Sequence, residues 1–258
     1  MSRSAEAASD KTGRGWAIVG AWLREILIVV VGALIASTLL RVFVAQMFMI
    51  PSGSMENTLM VGDRVAVQKL VHFERGDIVV FRDTQGWLSP APEEEDPVRQ
   101  ALIFVGLAPD ESTNHLIKRV IGVAGDHVSC CDAQGRVTVN GVALNESTYL
   151  YTDPSTGKQA DPSSVSFDVV VPKDTIFVMG DHRNNSQDSR CHLTDDAGSG
   201  PPGSVAFVPA ENVVGTAVAV VYPFDRMVGF NRPATFGGVP APGTPPDAPV
   251  ISGPPVVC

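Results

Sequence analysis

Nineteen residues near the start of the chain, "ILIVVVGALIASTLLRVFV" (26–44), carry a single charge, Arg41, and set the first constraint on the fold. At about 1.5 Å per helical residue the run reaches roughly 29 Å, close to the thickness of a bilayer core. A cleaved leader has a shorter apolar stretch, followed by a small-residue cleavage site. A helix this long in a protein interior would carry polar punctuation. The run therefore predicts a transmembrane anchor, with Arg41 near its far end extending to the headgroups. Arg3, Lys11, Arg14 and Arg24 precede it. By the positive-inside rule, residues 1–25 are cytoplasmic and everything after about residue 45 lies outside a single-pass membrane protein.

That orientation places Cys130, Cys131, Cys191 and Cys258 where disulfides can persist. A bridge from Cys191 to Cys130 or Cys131 is expected, because Cys258 lies on a Pro/Gly-rich tail where pairing would gain little order. No CxxC pair occurs, so a structural zinc site is not expected; no other metal and no cofactor is expected either. The net charge of −9, without a basic patch or interleaved aromatics, argues against a nucleic-acid partner.

Beyond the anchor the pattern is that of short strands. "RVAVQKLV" and "GDIVVF" are separated by the turn signals Gly62-Asp63 and Gly76-Asp77. "HLIKRVIGVAGDHVSC" reads as strand, turn, strand, and "GRVTVNGVAL" as a hairpin with Asn140-Gly141 at its tip. "VSFDVVVP", "TIFVMGD" and "VVGTAVAVVYPF" continue the pattern. The acidic stretch 85–98 reads as a solvated loop, and 98–109 ("VRQALIFVGLAP") as a short helix or an apolar loop on the membrane. Residues 233–258 read as a mobile tail. The fold class is mainly β: an antiparallel domain over 45–232 on one N-terminal helix.

Ser52 and Ser54, in "MIPSGSM", stand two apart in a tight turn. A serine hydroxyl attacks only when a neighbour takes its proton. No Gly-x-Ser-x-Gly elbow is present. A Ser-His hydrolase would need His72, His115, His127, His182 or His192 brought in from a distant loop. His182, beside Asp181, reads as a solvent-exposed loop histidine. Lys118 is flanked by Leu116, Ile117, Val120 and Ile121. On a strand it shares a face with Leu116 and Val120 while Arg119 points the other way. Two readings stay open for it: a desolvated neutral amine able to act as a base, or a gatekeeper on a strand edge. "STGK" (155–158) matches Ser-x-x-Lys, but its Ser-Asp-Asn companion is missing, and Ser155 lies in a Pro/Asp loop.

Four stretches in order, "PSGSM" (51–55), "GDRVAVQK" (62–69), "KRVIGVAGD" (118–126) and "GDHRNNSQDSR" (180–190), resemble the boxes of bacterial type I signal peptidases. "FVPAENVVGTAVAVVYPF" (207–224) resembles the family's last strand region. One anchor resembles the Gram-positive type, and the Gly/Ala/Val-rich composition suits an actinobacterium. The resemblance implies a coiled antiparallel β-sheet peptidase domain on the outer membrane surface, with variable insertions near 85–112, 129–171 and 191–204. It implies Ser54 as nucleophile and Lys118 as general base. Ser52 would join the Ser54 N–H in the oxyanion hole, and Ser186 would orient the lysine. Asp181, Asp188, Arg119 and Arg190 would form supporting salt bridges, with Gly53 and Gly180 as structural support. The implied partners are the phospholipid membrane and exported preproteins with small residues at −1 and −3. Ala124 replaces a common proline and His182 a common asparagine. The competing class is a membrane-anchored β domain that binds without catalysis.

Overall fold

The computed structural model describes residues 6–43, 45–70, 72–89, 96–98, 114–196, 198, 200–253 and 258. Two compact units emerge: Met1–Val44 with Glu94–Asp110, and Ala45–Glu93 with Glu111–Cys258. In the first, α1 (Glu6–Phe43) is one continuous helix. Its segment Val19–Thr38 is long and apolar enough to cross a membrane. Trp22, Leu27, Val29 and Ile35 are exposed along it, a surface that suits lipid rather than water. The Arg41 side chain, and residues 99–109 of the ambiguous apolar segment, lie outside the described residues.

The second unit is mainly β, with short 3-10 turns between strands. Its strands begin with β1 (Ala45–Met49), β2 (Arg64–Gln68), β3 (Ile78–Arg82), β4 (His115–Val123), β5 (His127–Cys130) and β6 (Val137–Val139). They continue with β7 (Val142–Ala143), β8 (Phe167–Val170), β9 (Thr175–Met179), β10 (Val208–Pro209), β11 (Val213–Tyr222), β12 (Val228–Gly229) and β13 (Val250–Ser252). The larger sheet has the order β1-β2-β11-β3-β4-β9-β10, with β12 on β11, and the smaller runs β13-β8-β5-β6-β7. Every strand pairing described is antiparallel.

Side-chain alternation explains why the large sheet buries both faces. Along β3, Ile78 and Val80 enter a cluster with Ile50, Met55, Leu59 and Ile117. Val79 and Phe81, pointing the other way, pack with Trp87, Val120 and Val178. β4 is thereby held between β3 and β9 in the middle of the sheet. The expected hairpin forms as well: Val139 pairs with Val142, and Asn140 and Gly141 take φ of 51° and 78°. Those positive angles match a tight hairpin turn.

Two expectations are overturned. The tail reading of 233–258 fails for its described residues. Phe236 is buried among Val128, Phe167 and Phe177, Gly243 N–H donates to Gly125 O at 3.0 Å, and Lys173 N–H donates to Pro246 O. β13 then adds to β8 as an edge strand. Proline and glycine erase local periodicity, but they do not prevent one aromatic and a few main-chain bonds from docking a segment. The same docking redirects the cysteines. Cys191 is bridged to Cys258, and Cys130 to its neighbour Cys131.

Candidate active site

Ser54 sits in the short 3-10 turn Gly53–Met55, entered from an extended Ser52 (φ −137°, ψ 159°). The turn is nailed down from behind by buried Met55 and Leu59, with Leu59 N–H donating to Met55 O at 2.8 Å. On its approach side, Ile50 N–H donates to Asp63 O and Gly62 N–H to Ile50 O, both at 2.9 Å. Ser52 is exposed. A Cβ on Gly53 would meet the Glu56 carboxylate at 2.8 Å. That carboxylate is the far end of a flexible side chain and could swing aside, so the contact marks how near Glu56 lies to the turn rather than a strict need for glycine.

Lys118 projects from β4, opposite Val79 of β3. Its Nζ lies 2.5 Å from Ser54 Oγ, and the two side chains, from residues 64 apart, are buried together at 2% and 7% exposure. Burial pushes the lysine down from its ordinary 10.5 to about 8, against the opposing pull of Asp188 and Asp181, while Arg190 lowers it further. The carboxylates do not dominate because each already has a guanidinium. Arg119 holds Asp181 through Nε (2.8 Å) and Nη2 (2.6 Å). Arg190 holds Asp188 through Nε (2.9 Å) and Nη2 (2.8 Å). Burial alone would raise Asp188, yet Arg190 and the Gly180 N–H bring it below the ordinary carboxylate range. Such an amine is neutral often enough near pH 8 to accept a proton.

The four charged residues expected as support form two buried ion pairs, Arg119–Asp181 and Arg190–Asp188, whose charges act on Lys118. Asp181 also accepts from the Thr58 hydroxyl, three residues beyond Met55, tying the β9 end to the Ser54 turn. Asp188 accepts from Gly180 N–H at 2.9 Å and from Ser186 Oγ at 2.8 Å. Ser186 is thus brought to the site with its proton given to Asp188; no hydrogen bond from Lys118 to Ser186 is seen among the described contacts. A Cβ on Gly180 would collide with both the Ser54 carbonyl and the Ser186 side chain. That explains a glycine at the end of β9.

Several residues escaped the sequence. His182 is buried rather than exposed, stacked on Tyr151 with centroids 3.7 Å apart. Arg183 is buried with Glu146, and its Nε donates to Gly180 O at 3.0 Å. The Tyr149 hydroxyl donates to Glu146, and the Arg119 guanidinium lies 4.2 Å over the Tyr149 ring. Glu146 lies 37 residues from Arg183, and no local pattern announces such a pairing. A separate cavity of about 620 Å³, lined by residues including Thr58, Ile78, Arg119, Tyr149 and Thr216, does not include the dyad. Among the described residues no group of three His, Cys, Asp or Glu side chains is placed to hold a metal ion.

A hydroxyl and a depressed amine in contact, with every neighbouring guanidinium already paired, have the chemistry of a serine hydrolase that uses lysine as its base. The family described as "Signal peptidase, peptidase S26" matches residues 22–222, and the chain belongs to it. Signal peptidase I of Mycobacterium tuberculosis (strain ATCC 25618 / H37Rv) is 38% identical over 229 residues, covering 79% of this chain and 74% of that one. The probable signal peptidase I of Mycobacterium leprae (strain TN) is 37% identical over 216 residues, 72% of each chain. Signal peptidase I P of Bacillus subtilis subsp. natto is 30% identical over 224 residues, 84% of this chain and 97% of that one. A crystal structure of a signal peptidase I from Enterococcus faecalis V583 aligns at a TM-score of 0.32 and 20% identity, over 56% of this chain and 95% of that chain. That likeness is too slight to carry weight.

Proposed function

We propose that this protein is a membrane-bound serine endopeptidase that removes N-terminal signal peptides from exported preproteins. The observation that carries it is the buried 2.5 Å contact of Lys118 Nζ with Ser54 Oγ in a member of this family. Neutral Lys118 takes the hydroxyl proton while Ser54 Oγ attacks the carbonyl carbon before the scissile bond. Negative charge develops on the carbonyl oxygen, and the Ser54 N–H and Ser52 hydroxyl donate to it, each such donor being worth about 10²- to 10³-fold. The Lys118 ammonium then protonates the departing amine, freeing the mature protein. Water, deprotonated by the same lysine, hydrolyses the acyl-enzyme and restores both groups. Ser186 acts on the lysine, its own proton committed to Asp188 so that a lone pair faces the site.

The preference for small side chains at −1 and −3 follows from the family resemblance, with the substrate bound as an added strand. α1 anchors the domain, with residues 1–25 cytoplasmic and the catalytic domain outside, as the flanking basic residues favour. Ser54 lies only ten residues past Val44, which confines the nucleophile close to the bilayer where cleavage sites emerge. The test is to incubate the full chain in liposomes with a preprotein and sequence the new N-terminus. Cleavage at one site after a small residue, lost in Ser54→Ala, is expected. A folded wild type that leaves the preprotein intact, or cleavage that survives Ser54→Ala, overturns the proposal.

A further inference from the structure

The nucleophile turn is gripped from the β9 loop by a residue to which the mechanism above assigns no part. His182 is only 9% exposed, and its backbone N–H donates to the Ser54 carbonyl at 3.1 Å. Its ring Nδ1 lies 3.0 Å from Glu56 Oε2 and 3.3 Å from the Gly53 carbonyl oxygen. Both neighbours offer oxygen lone pairs, so Nδ1 carries the proton and donates. Tyr151 stacks on the ring at an interplanar angle of 17°. The Tyr151 N–H donates to Asp181 O at 3.1 Å. The imidazole is therefore held in plane by an aromatic that is itself tied to the next-door residue.

The significance lies in peptide planarity. The Gly53 carbonyl and the Ser54 N–H belong to one trans peptide unit and point in opposite directions. Whatever holds the carbonyl aims the N–H. Within the turn, only the Glu56 N–H donates to that carbonyl, at 3.0 Å. A 3-10 turn of three residues has poor hydrogen-bond geometry and does not stiffen itself. His182 adds a grip on the carbonyl, a second on the Ser54 carbonyl, and a third on the carboxylate lying against Gly53.

We propose that His182, acting with Glu56, is a positioning residue that locks the Gly53–Ser54 peptide so that the Ser54 N–H is aimed at the developing oxyanion. This rests on the Ser54–Lys118 reading. Asparagine at position 182 would keep an N–H donor on a side chain of similar reach.

The experiment compares full-length wild type, His182→Ala, His182→Asn, Glu56→Gln and the double variant His182→Ala/Glu56→Gln on a peptide spanning a cleavage site. Loosening one oxyanion donor without removing it should lower kcat about 10-fold in His182→Ala, part of the 10²- to 10³-fold for outright loss. KM should stay within about 2-fold, because ground-state binding does not use the donor. A peptide aldehyde, whose adduct with Ser54 places an oxygen in the same position, should lose affinity by the same factor as kcat. His182→Asn should recover most of the rate, and the double variant should be no slower than His182→Ala. The pH at which kcat/KM levels off, set by Lys118, should not move. Unchanged kcat in folded His182→Ala, a loss confined to KM or melting temperature, or unaltered aldehyde affinity each overturns the assignment. If His182→Ala does not fold, Glu56→Ala carries the same comparison, with the same direction expected in kcat and aldehyde affinity at a nearly unchanged KM. An inactive wild type would instead overturn the proposed function, and this inference with it.

Discussion

Replacing Lys118 by arginine preserves charge and most of the length, and isolates the one property the mechanism needs: loss of a proton. With the lysine brought down to about 8, about half the molecules at pH 8 have a neutral amine, and about a tenth at pH 7. A guanidinium ionises far above this range, so at pH 8 almost no molecule could accept the serine proton. Burial would lower that value too, as it lowers the lysine, but not far enough to leave a useful neutral fraction at pH 8. Lys118→Arg should therefore lose at least about 10⁴-fold in kcat/KM at pH 8, and be as inactive as Lys118→Ala. In wild type, kcat/KM should rise about tenfold per pH unit below 8 and level off above it, because only the neutral amine works. The assay is peptide cleavage by full-length protein from pH 6 to 10, with circular dichroism confirming that the variants fold. Turnover above about 1% of wild type in folded Lys118→Arg would refute the reasoning, as would a flat wild-type profile across pH 8.

The buried amine should also cost stability. Its pKa falls from 10.5 to about 8 on folding, so the unfolded chain binds more protons between those values and wild-type stability should rise with pH across that window. Below pH 8 the full penalty, about 3 kcal/mol, is present. Lys118→Met should accordingly melt higher at pH 7, by about 1–3 kcal/mol, with the margin shrinking toward pH 10.5; equal melting temperatures at pH 7 would contradict this. Ser52→Ala, at an exposed position, should lower kcat by about 10²-fold while changing stability by less than about 0.5 kcal/mol, as read by kinetics and thermal melts. Gly180→Ala should both destabilise and inactivate, because its Cβ would occupy space held by the Ser54 carbonyl and Ser186. A variant with wild-type kcat would show that this packing is not needed.

Local sequence offered a serine turn and a lysine among branched apolar residues as candidates, and the resemblance of the ordered motifs singled out Ser54 and Lys118. The strands were legible for the same reason, as period-two alternation survives without knowledge of partners. The anchor, too, is a property of composition and length. What remained invisible depends on residues far apart in sequence. Nothing near Lys118 says that its burial is nearly complete or that Asp181 and Asp188 are already occupied, yet those two facts together bring it to about 8. The gatekeeper and the base have the same local sequence, and only the packing of β3 and β9 on either edge of β4 shows that Lys118 is buried on a central strand rather than at a sheet edge. The docked segment after Pro233 and the Cys191–Cys258 bridge were likewise hidden, since Phe236 meets its partners across the small sheet rather than along its own chain. His182 looked exposed because a loop histidine next to an aspartate usually is. Tyr151, 31 positions upstream, covers its ring, and Glu56, 126 positions upstream, lies 3.0 Å from its Nδ1. Local pattern specifies which groups are present; desolvation and partner occupancy, which set a proton's affinity and a donor's direction, arise only when distant segments close around them.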